Sequence, residues 1–267
     1  MPLDKRTPFA KSLASSIYYP GPTHSAISKR VASKPASGLG CPVSYKREIW
    51  DRFCVEHSIA DQAVPLFQST GGVVKTFMHG EGEGRCLVRR SEEMEALIVR
   101  EVTRVLEDYD SGSDLFEGLI YMMFHRVGHE VIPLYIGKSE KFGKSHGVLS
   151  ANIAGIEGNR SKFCRWGNSY AYHIGDLSAV VCPGHSKKRR TRKYSNWANK
   201  LFAHYPSASP QLREPVYFWI TAWKKGGVGI WEEFGPTSLT FLEYLLIGVA
   251  SDLFPGELLN DEGVNRE

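Results

Sequence analysis

Apolar residues at helical spacing predict two helices in the first half of the chain. The first lies in the segment from 45 to about 67, where the stripe consists of Ile49, Trp50, Phe53 and Cys54. The second begins at Ser91, whose hydroxyl can cap the first turn, and is expected to end before the turn-rich sequence DYDSGSD. Its buried stripe consists of Ala96, Leu97, Val99, Val102, Val105 and Leu106. Between the helices, VVKTFMH and CLVRR flank the turn GEGEG, which predicts a short two-stranded element.

The second half of the chain alternates short apolar runs with Gly-containing turns. Strands are predicted at 118–126, 131–137 and 215–223, because these runs are rich in aromatic and β-branched residues. Helices are predicted around 147–170 and from an N-cap at Thr237 to about Leu253. The order strand, strand, helix, strand, helix, interrupted by a long insertion at roughly 174–213, predicts an α+β fold with a small central sheet flanked by helices.

Composition bounds the organisation of the chain. Residues 1 to about 43 mix Ser, Ala, Pro, Gly and Lys without periodicity, which predicts a loosely packed arm. We therefore divide the chain into residues 1–112, an arm followed by a mixed α/β extension, and residues 113–267, a second domain. The start of the chain has no continuous apolar run typical of a secretory leader. The longest apolar run, FLEYLLIGVASDLF, is too short to span a bilayer, so no membrane partner is expected.

The five cysteines form neither a CxxC pair nor a Cys/His ladder, which argues against structural zinc. Free thiols are the simplest interpretation of Cys41, Cys54, Cys86, Cys164 and Cys182. We therefore expect a reducing, cytoplasmic location.

Charge is distributed unevenly along the chain. The segment from Lys138 to Arg213 contains fourteen lysines and arginines against three acidic residues, although the net charge of the whole chain is only +4. A basic block inside an otherwise acidic chain is typical of a surface that binds a polyanion. Charge alone is equally compatible with a solvated loop or an import signal.

The tripeptide GKS occurs twice, at 137–139 and 143–145, and could suggest a nucleotide-binding P-loop. A P-loop requires a glycine five residues before its Gly-Lys pair, so that backbone N–H groups can surround the phosphates. The required positions are occupied by Ile132 and Lys138. The spacing therefore argues against nucleotide binding.

Glu243 lies in the first half of a nearly all-apolar predicted helix. Burial of an ionised carboxylate is costly without a partner. Glu243 therefore either faces a polar cleft, where it could bind a metal ion, or pairs with an arginine in the core.

Taken in order, several of these features resemble the GIY-YIG nuclease superfamily. They are GLIY at 118–121, YIG at 135–137, arginines on the following predicted helix, Glu243 on a later apolar helix, and LLN ending at Asn260. The resemblance covers roughly 116–262. It implies a small GIY-YIG-type sheet with flanking helices, one divalent ion (Mg²⁺ or Mn²⁺) held by a glutamate, and hydrolysis of phosphodiester bonds in DNA.

The resemblance also implies roles for individual residues. Tyr121 and Tyr135 match the signature tyrosines, and Glu243 matches the metal ligand, while lone tyrosines would otherwise be ordinary core residues. Lys138 follows the YIG and could polarise water or neutralise a phosphate oxygen. Asn260 would fix a loop or a metal-bound water.

The arginine and the histidine of the pattern are harder to place. Arg160 and Arg165 both lie on the candidate helix, and we favour Arg165 because it lies in the apolar context KFCRW. Its guanidinium would hold the non-bridging oxygens of the scissile phosphate. His173 could assist proton transfer or could equally be a buried structural histidine.

The implied mechanism is hydrolysis with one metal ion. Water activated by Tyr121, or by Lys138 in its neutral form, attacks phosphorus in line, and the ion on Glu243 stabilises charge on the leaving 3′ oxygen. The sequence departs from the family pattern in its Leu-Ile-Tyr motif, in the longer separation of the two tyrosines, and in an insertion of about forty residues. These departures favour an elaborated member similar to restriction enzymes.

The insertion contains a basic run that could bind double-stranded DNA. The residues predicted to contact DNA are Lys187, Lys188, Arg189, Arg190, Arg192, Lys193, Tyr194 and Trp197, with the two aromatic rings as stacking or wedge groups. The N-terminal 112 residues could form a second clamp arm, and a palindromic site would suit a homodimer.

The resulting prediction is a divalent-metal-dependent DNA endonuclease of restriction or defence type, cutting at a specific site. Two alternatives remain open. One is a structure-specific repair or recombination nuclease, which shares the chemistry but reads DNA shape. The other is a catalytically silent DNA-binding protein on the same scaffold.

Overall fold

A four-stranded antiparallel sheet forms the centre of the computed structural model, which describes residues 43–79, 85–143, 147–156 and 174–264. The described residues all belong to one unit, Gly40–Glu267. The helices of these residues are α1 (Val43–Glu56), α2 (Glu92–Asp110), α3 (Ile174–Val181), α4 (Arg192–Leu201) and α5 (Leu239–Leu253). The strands in the first half are β1 (Val64–Pro65), β2 (Ser69–Thr70), β3 (Val73–Val74), β4 (Thr76–His79) and β5 (Arg85–Val88). The later strands are β6 (Phe116–Val127), β7 (Glu130–Glu140), β8 (Phe202–His204), β9 (Gln211–Leu212) and β10 (Tyr217–Lys224).

The central sheet has the strand order β1-β10-β6-β7, so β6 lies inside it and β7 lies at one edge. The predicted paired strands are confirmed as β6 and β7, which form a hairpin with Tyr121 opposite Gly137. The third predicted strand is confirmed as β10, which pairs with β6 along nearly its whole length. A second sheet, β2-β3-β9-β8, and the predicted β4-β5 pair complete the strands, so the mixed α+β class is confirmed.

Each face of the central sheet has its own hydrophobic core, as the alternation of side chains along a strand requires. On one face, Tyr121 and Ile220 pack with residues of α2, α3 and α4. On the other face, Ile120 and Ile136 pack with residues of α1 and α5. The sheet is therefore covered by helices on both sides, which explains why β6 reads as one continuous apolar run.

The helix predicted from Ser91 is confirmed as α2. The Ser91 hydroxyl accepts a hydrogen bond from the Met94 N–H at 2.9 Å, which satisfies one of the free donors of the first turn. The cap of α5 differs from the prediction, because Ser238 caps this helix and Thr237 does not. The Thr237 hydroxyl instead donates to the Gly235 carbonyl at 2.9 Å and accepts from the Gly229 N–H at 3.3 Å, which closes the preceding turn.

The division of the chain after residue 112 is not visible in the packing of the described residues. Strand β1 pairs with β10 through Val64 and Phe218. Helices α1 and α2 cover opposite faces of the same sheet. The first described helices therefore belong to the unit that contains the predicted nuclease motifs.

The insertion predicted at 174–213 folds into α3, α4, β8 and β9. Most of the helix predicted around 147–170 lies outside the described residues, and the described part, 147–156, consists of turns. The predicted N-terminal arm lies wholly outside them apart from Val43. No helix in the described ranges has the length and apolar character needed to cross a membrane.

Candidate active site

The two tyrosines of the GLIY and YIG motifs lie on one face of the central sheet and close together. Tyr121 on β6 and Tyr135 on β7 have ring centroids 6.3 Å apart and are both buried. Phe218 on β10 flanks Tyr121 at 6.0 Å, and Trp197 on α4 lies 5.2 Å from Tyr135. Each ring therefore packs against the other tyrosine and one further aromatic side chain, which limits its orientation.

Two glycines of the motifs are required by close approaches. A Cβ atom at Gly137 would lie 2.7 Å from the Tyr121 hydroxyl, because the Tyr121 ring crosses directly over this residue. At Gly118, φ is +147° and a Cβ atom would lie 2.2 Å from the Ser139 carbonyl oxygen. The glycines of GLIY and YIG therefore allow the hairpin to close and the Tyr121 ring to lie across β7.

Backbone N–H and C=O groups at the outer edge of β7 form hydrogen bonds with the C-terminal part of the chain. The Leu259 N–H donates to the Leu134 carbonyl at 2.7 Å. The Asn260 side chain accepts from the Ile136 N–H at 3.1 Å and donates to the Ile136 carbonyl at 2.8 Å. Next along the strand, the Glu243 carboxylate lies near the Lys138 backbone N–H, which acts to lower the pKa of this carboxyl. Glu243 and Asn260 therefore lie in sequence along the edge of the YIG strand.

The surroundings of Glu243 are polar and charged. Burial raises the pKa of Glu243, and the nearby Glu140 and Glu262 act in the same direction, while Lys138 opposes them. The ammonium group of Lys138 forms an ion pair with Glu140, which also accepts a hydrogen bond from the Thr240 hydroxyl at 3.0 Å. Among the described residues, the charged neighbours of Glu243 are therefore Lys138, Glu140 and Glu262.

The predicted residues are divided between the two faces of the sheet. Tyr121 and Tyr135 face α4, whereas Ile136 and, by alternation, Lys138 face α5. The two groups meet at the outer edge of β7, since Asn260 binds the Ile136 backbone there and Glu243 lies near the Lys138 N–H. Any site formed by all of these residues would therefore have to lie at this edge.

Helix α4 of the insertion packs directly on the YIG strand. The Lys193 ammonium lies 5.7 Å from the centre of the Tyr135 ring and forms an ion pair with Asp261 at 3.2 Å. Asp261 follows Asn260, so the same segment contacts β7 and α4. A cleft of about 510 Å³ lies between α4 and the C-terminal segment, with Arg192 and Asn196 on one wall and Asn260 on the other.

The basic run lies on the surface before and at the start of α4. Lys187, Lys188 and Arg189 form a turn of 3₁₀ helix, and they are exposed together with Arg190 and Arg192. The two aromatic residues of the run differ from the prediction, because Tyr194 and Trp197 are each only 1% exposed and pack in the core. Rings buried in this way do not offer a face for stacking on bases, so the proposed DNA contacts are limited to the cations.

Three predicted residues cannot be placed. Arg160, Arg165 and His173 lie outside the described residues, so the choice between the two arginines stays a prediction.

The structure also adds residues that the sequence did not single out. Glu140 contacts Lys138, Thr240 contacts Glu140, and Asp261 contacts Lys193. The only sign of these residues in the sequence was their position beside a motif or at the start of a helix.

Glu243 fits a divalent ion in the type of donor it offers. Mg²⁺ prefers oxygen ligands, keeps several waters and is commonly held by one or two carboxylates. In the described part of the chain, no three His, Cys, Asp or Glu side chains form a group that could hold a metal ion together.

Comparison of the chain with protein-family models, with characterised proteins and with solved structures finds no match.

Proposed function

We propose that this protein is a divalent-metal-dependent DNA endonuclease of the GIY-YIG type. The observation that carries the proposal is the arrangement around β7, where paired tyrosines, a lysine, a half-buried glutamate and an asparagine surround one edge strand. Ordinary packing explains each contact separately. It gives no reason for a costly half-buried carboxylate beside this strand, next to a glycine that admits a tyrosine ring.

The residues have separate roles in this proposal. Tyr121 and Tyr135 orient the attacking water and the phosphate through their hydroxyl groups. Lys138 is paired with Glu140, so we assign it to neutralising phosphate charge and not to abstracting a proton. Glu243 would hold the divalent ion, which supplies charge stabilisation at the phosphate when bound. Asn260 is a positioning residue, because both ends of its amide bind the backbone of Ile136.

DNA is the favoured substrate because the exposed cations directly precede the helix that packs on the YIG strand. Lys187, Lys188, Arg189 and Arg190 precede α4, and α4 contacts Tyr135 through Trp197 and Lys193. A phosphate backbone bound by the basic run would therefore lead toward the tyrosines. A restriction enzyme cutting at a specific site is our first choice within this class.

The test is incubation of purified protein with plasmid and phage DNA, with Mg²⁺, with Mn²⁺ and with EDTA. We expect discrete fragments with either metal, none with EDTA, and loss of cutting in Glu243→Gln. The matched control is Asp114→Asn, which neutralises an exposed carboxylate paired with Lys225 and should cut normally. Cutting only of branched DNA would instead identify the repair-type alternative. DNA binding without cutting under any divalent metal would overturn the enzymatic proposal.

A further inference from the structure

Helix α4 presents two distinct faces. Tyr194, Trp197, Ala198 and Leu201 are buried, and they hold the helix against the core that contains Tyr135. The opposite face carries Arg192 and Asn196, which are exposed and lie one helical turn apart. The helix therefore combines a rigid apolar attachment with a polar outer surface.

Two ion pairs fix the orientation of that outer face. Lys193 pairs with Asp261 at 3.2 Å, and Lys200 pairs with Glu257 at 2.5 Å. The two lysines are seven residues apart, so both point to the same side of the helix, toward the C-terminal segment. Both lysines are paired with acidic residues of the same protein. These two ion pairs hold α4 in one rotation about its own axis.

Arg192 and Asn196 are not used in this way. Within the described part of the chain, neither side chain has a hydrogen-bond or ion-pair partner, and both line the cleft beside Asn260. The next polar residue on this face, Asn199, differs because its side-chain oxygen accepts a hydrogen bond from the Tyr205 hydroxyl. A guanidinium and an amide thus stay available on a helix that is fixed on its other sides.

We infer that α4 is the recognition helix of this protein and that Arg192 and Asn196 contact base edges in the major groove of DNA. The inference rests on the proposed function for the identity of the ligand, and it adds which residues set sequence preference. An arginine fork matches the two acceptors of guanine, and an asparagine amide matches the donor and acceptor of adenine. The four exposed cations at 187–190 would bind the phosphates next to these bases and give no sequence information themselves.

The spacing of the two residues makes the inference specific. Four residues of α-helix advance by about 6 Å. Successive bases on one strand are separated by about 3.4 Å. Arg192 and Asn196 should therefore read a guanine and an adenine that lie within about two base-pair steps of each other.

The experiment is selection of bound duplexes from a randomised DNA library in the presence of Ca²⁺, followed by sequencing, for the wild type and four variants. Asn196→Ala should relax the preference for adenine at one position, and Arg192→Ala should relax the preference for guanine at another. The loss of discrimination expected at each position is roughly 5- to 100-fold. Arg192→Lys keeps the charge but not the planar fork, so it should weaken the preference for guanine while keeping the salt dependence of binding.

Lys187→Ala is the matched control, because it removes an exposed cation assigned to phosphate. It should weaken binding to all sequences equally and leave the selected sequence unchanged. Circular dichroism should confirm that every variant is folded, since both substituted side chains on α4 are exposed.

The inference is overturned if the wild type selects no sequence, or if the Arg192 and Asn196 variants select the same sequence as the wild type. These results do not depend on cleavage. A protein that selects a sequence but never cuts DNA would contradict the proposed nuclease function and leave the recognition helix supported.

Discussion

Tyr121 can lie across β7 only because residue 137 has no side chain. A Cβ atom there would lie 2.7 Å from both the ring and the hydroxyl of Tyr121, well inside van der Waals contact. Gly137→Ala should therefore displace the tyrosine ring, lower the free energy of unfolding by about 1–3 kcal/mol and strongly reduce DNA cleavage. Denaturant unfolding and a cleavage assay measure the two effects.

Gly248→Ala provides the matched control for this steric prediction. Gly248 lies within α5, and a Cβ atom there would have no neighbour within 4 Å. The same substitution should therefore stabilise the protein by about 0.5–1 kcal/mol, because alanine favours the helix. If the two variants change the free energy of unfolding in the same direction, the close approach of Tyr121 is not the reason why residue 137 must be glycine.

The two carboxylates around Lys138 should respond to pH in opposite directions. Burial raises the pKa of Glu243, so the folded protein holds that proton more tightly than the unfolded chain does. Its stabilising contribution is present at low pH and is lost as the pH rises through the raised pKa. Glu243→Gln should therefore raise the melting temperature at pH 7 without divalent ions, with a difference that shrinks toward pH 4.

Glu140→Gln is the internal comparison. The hydrogen bond from Lys138 lowers the pKa of Glu140, so its contribution is present above the ordinary glutamate value and is lost as the pH falls. This variant should melt at a lower temperature than the wild type at pH 7. Addition of Mg²⁺ or Mn²⁺ should raise the melting temperature of the wild type and of Glu140→Gln but not of Glu243→Gln. Equal metal effects in all three proteins would remove Glu243 as the metal ligand.

At the scale of elements, the edge of β7 depends on one side-chain amide. Asn260 makes two hydrogen bonds with the backbone of Ile136 and takes the place of a neighbouring strand. Asn260→Ala should leave both backbone groups of Ile136 without these partners. We expect faster hydrogen exchange of the Ile136 amide, with little change at Tyr121, whose strand lies inside the sheet.

Asn199→Ala is a suitable comparison, because it also truncates an asparagine but lies on the exposed face of α4. It should leave exchange at Ile136 unchanged. Unaltered exchange in Asn260→Ala would show that the edge is held by other groups, such as Leu259.

The turn from α2 into β6 is organised by a buried ion pair. Asp108 and Lys141 are 1% and 2% exposed, with 2.6 Å between the carboxylate oxygen and the ammonium nitrogen. Burial alone would raise the pKa of Asp108, but hydrogen bonds from Lys141, Ser113 and two backbone N–H groups outweigh it and hold the pKa well below its usual range. Lys141→Met would leave the carboxylate buried and unpaired, and should cost about 3–5 kcal/mol in denaturant unfolding.

The exposed pair of Lys225 and Asp114 supplies the contrast. Its side chains are 57% and 62% exposed, so Lys225→Met should leave the free energy of unfolding almost unchanged. If Lys141→Met also lowers the free energy of unfolding only slightly, the turn is held by the hydrogen bonds between Asp108 and the backbone, and the ion pair adds little.

The elements that could be predicted from sequence are those with strong periodicity or long apolar runs. Helix α2 and strands β6, β7 and β10 appear close to their predicted positions, because burial of one face or both faces leaves a clear pattern. The cap of α5 was misplaced by one residue, since Thr237 and Ser238 are equally good capping residues and only the preceding turn decides between them. The small strands β2, β3, β8 and β9 are too short to leave a periodic signal.

The candidate site was predictable in part for a related reason. Glu243 stands out because a charge in an apolar helix is costly, whereas Glu140 and Asp261 look like ordinary surface acids until the fold brings them to Lys138 and Lys193. Burial of Tyr194 and Trp197 also could not be deduced from a basic run. It follows from the amphipathic character of α4, whose buried face packs against Tyr135.

At the scale of the whole molecule, the charges of the basic region fall into two groups. Lys193 and Lys200 have acidic partners in the C-terminal segment. Lys187, Lys188, Arg189, Arg190 and Arg192 are exposed and have no ion pair within the described residues. Only the second group retains its full positive charge for a polyanion, so the two groups should contribute differently to DNA binding.

The salt dependence of DNA binding measures this difference directly. Each phosphate neutralised by a cation contributes about −0.9 to the slope of log K against log salt concentration. Replacing the four exposed residues at 187–190 by alanine should therefore make the slope less steep by about 3 to 4. Replacing Lys193 and Lys200 should change it by less than about 1, because each of those charges already has a partner in the protein. Fluorescence anisotropy with a labelled duplex at several salt concentrations gives both slopes. Equal changes of slope in the two variants would show that the ion pairs with Asp261 and Glu257 open when DNA binds. An unchanged slope after replacement of residues 187–190 would show that the basic run does not contact DNA.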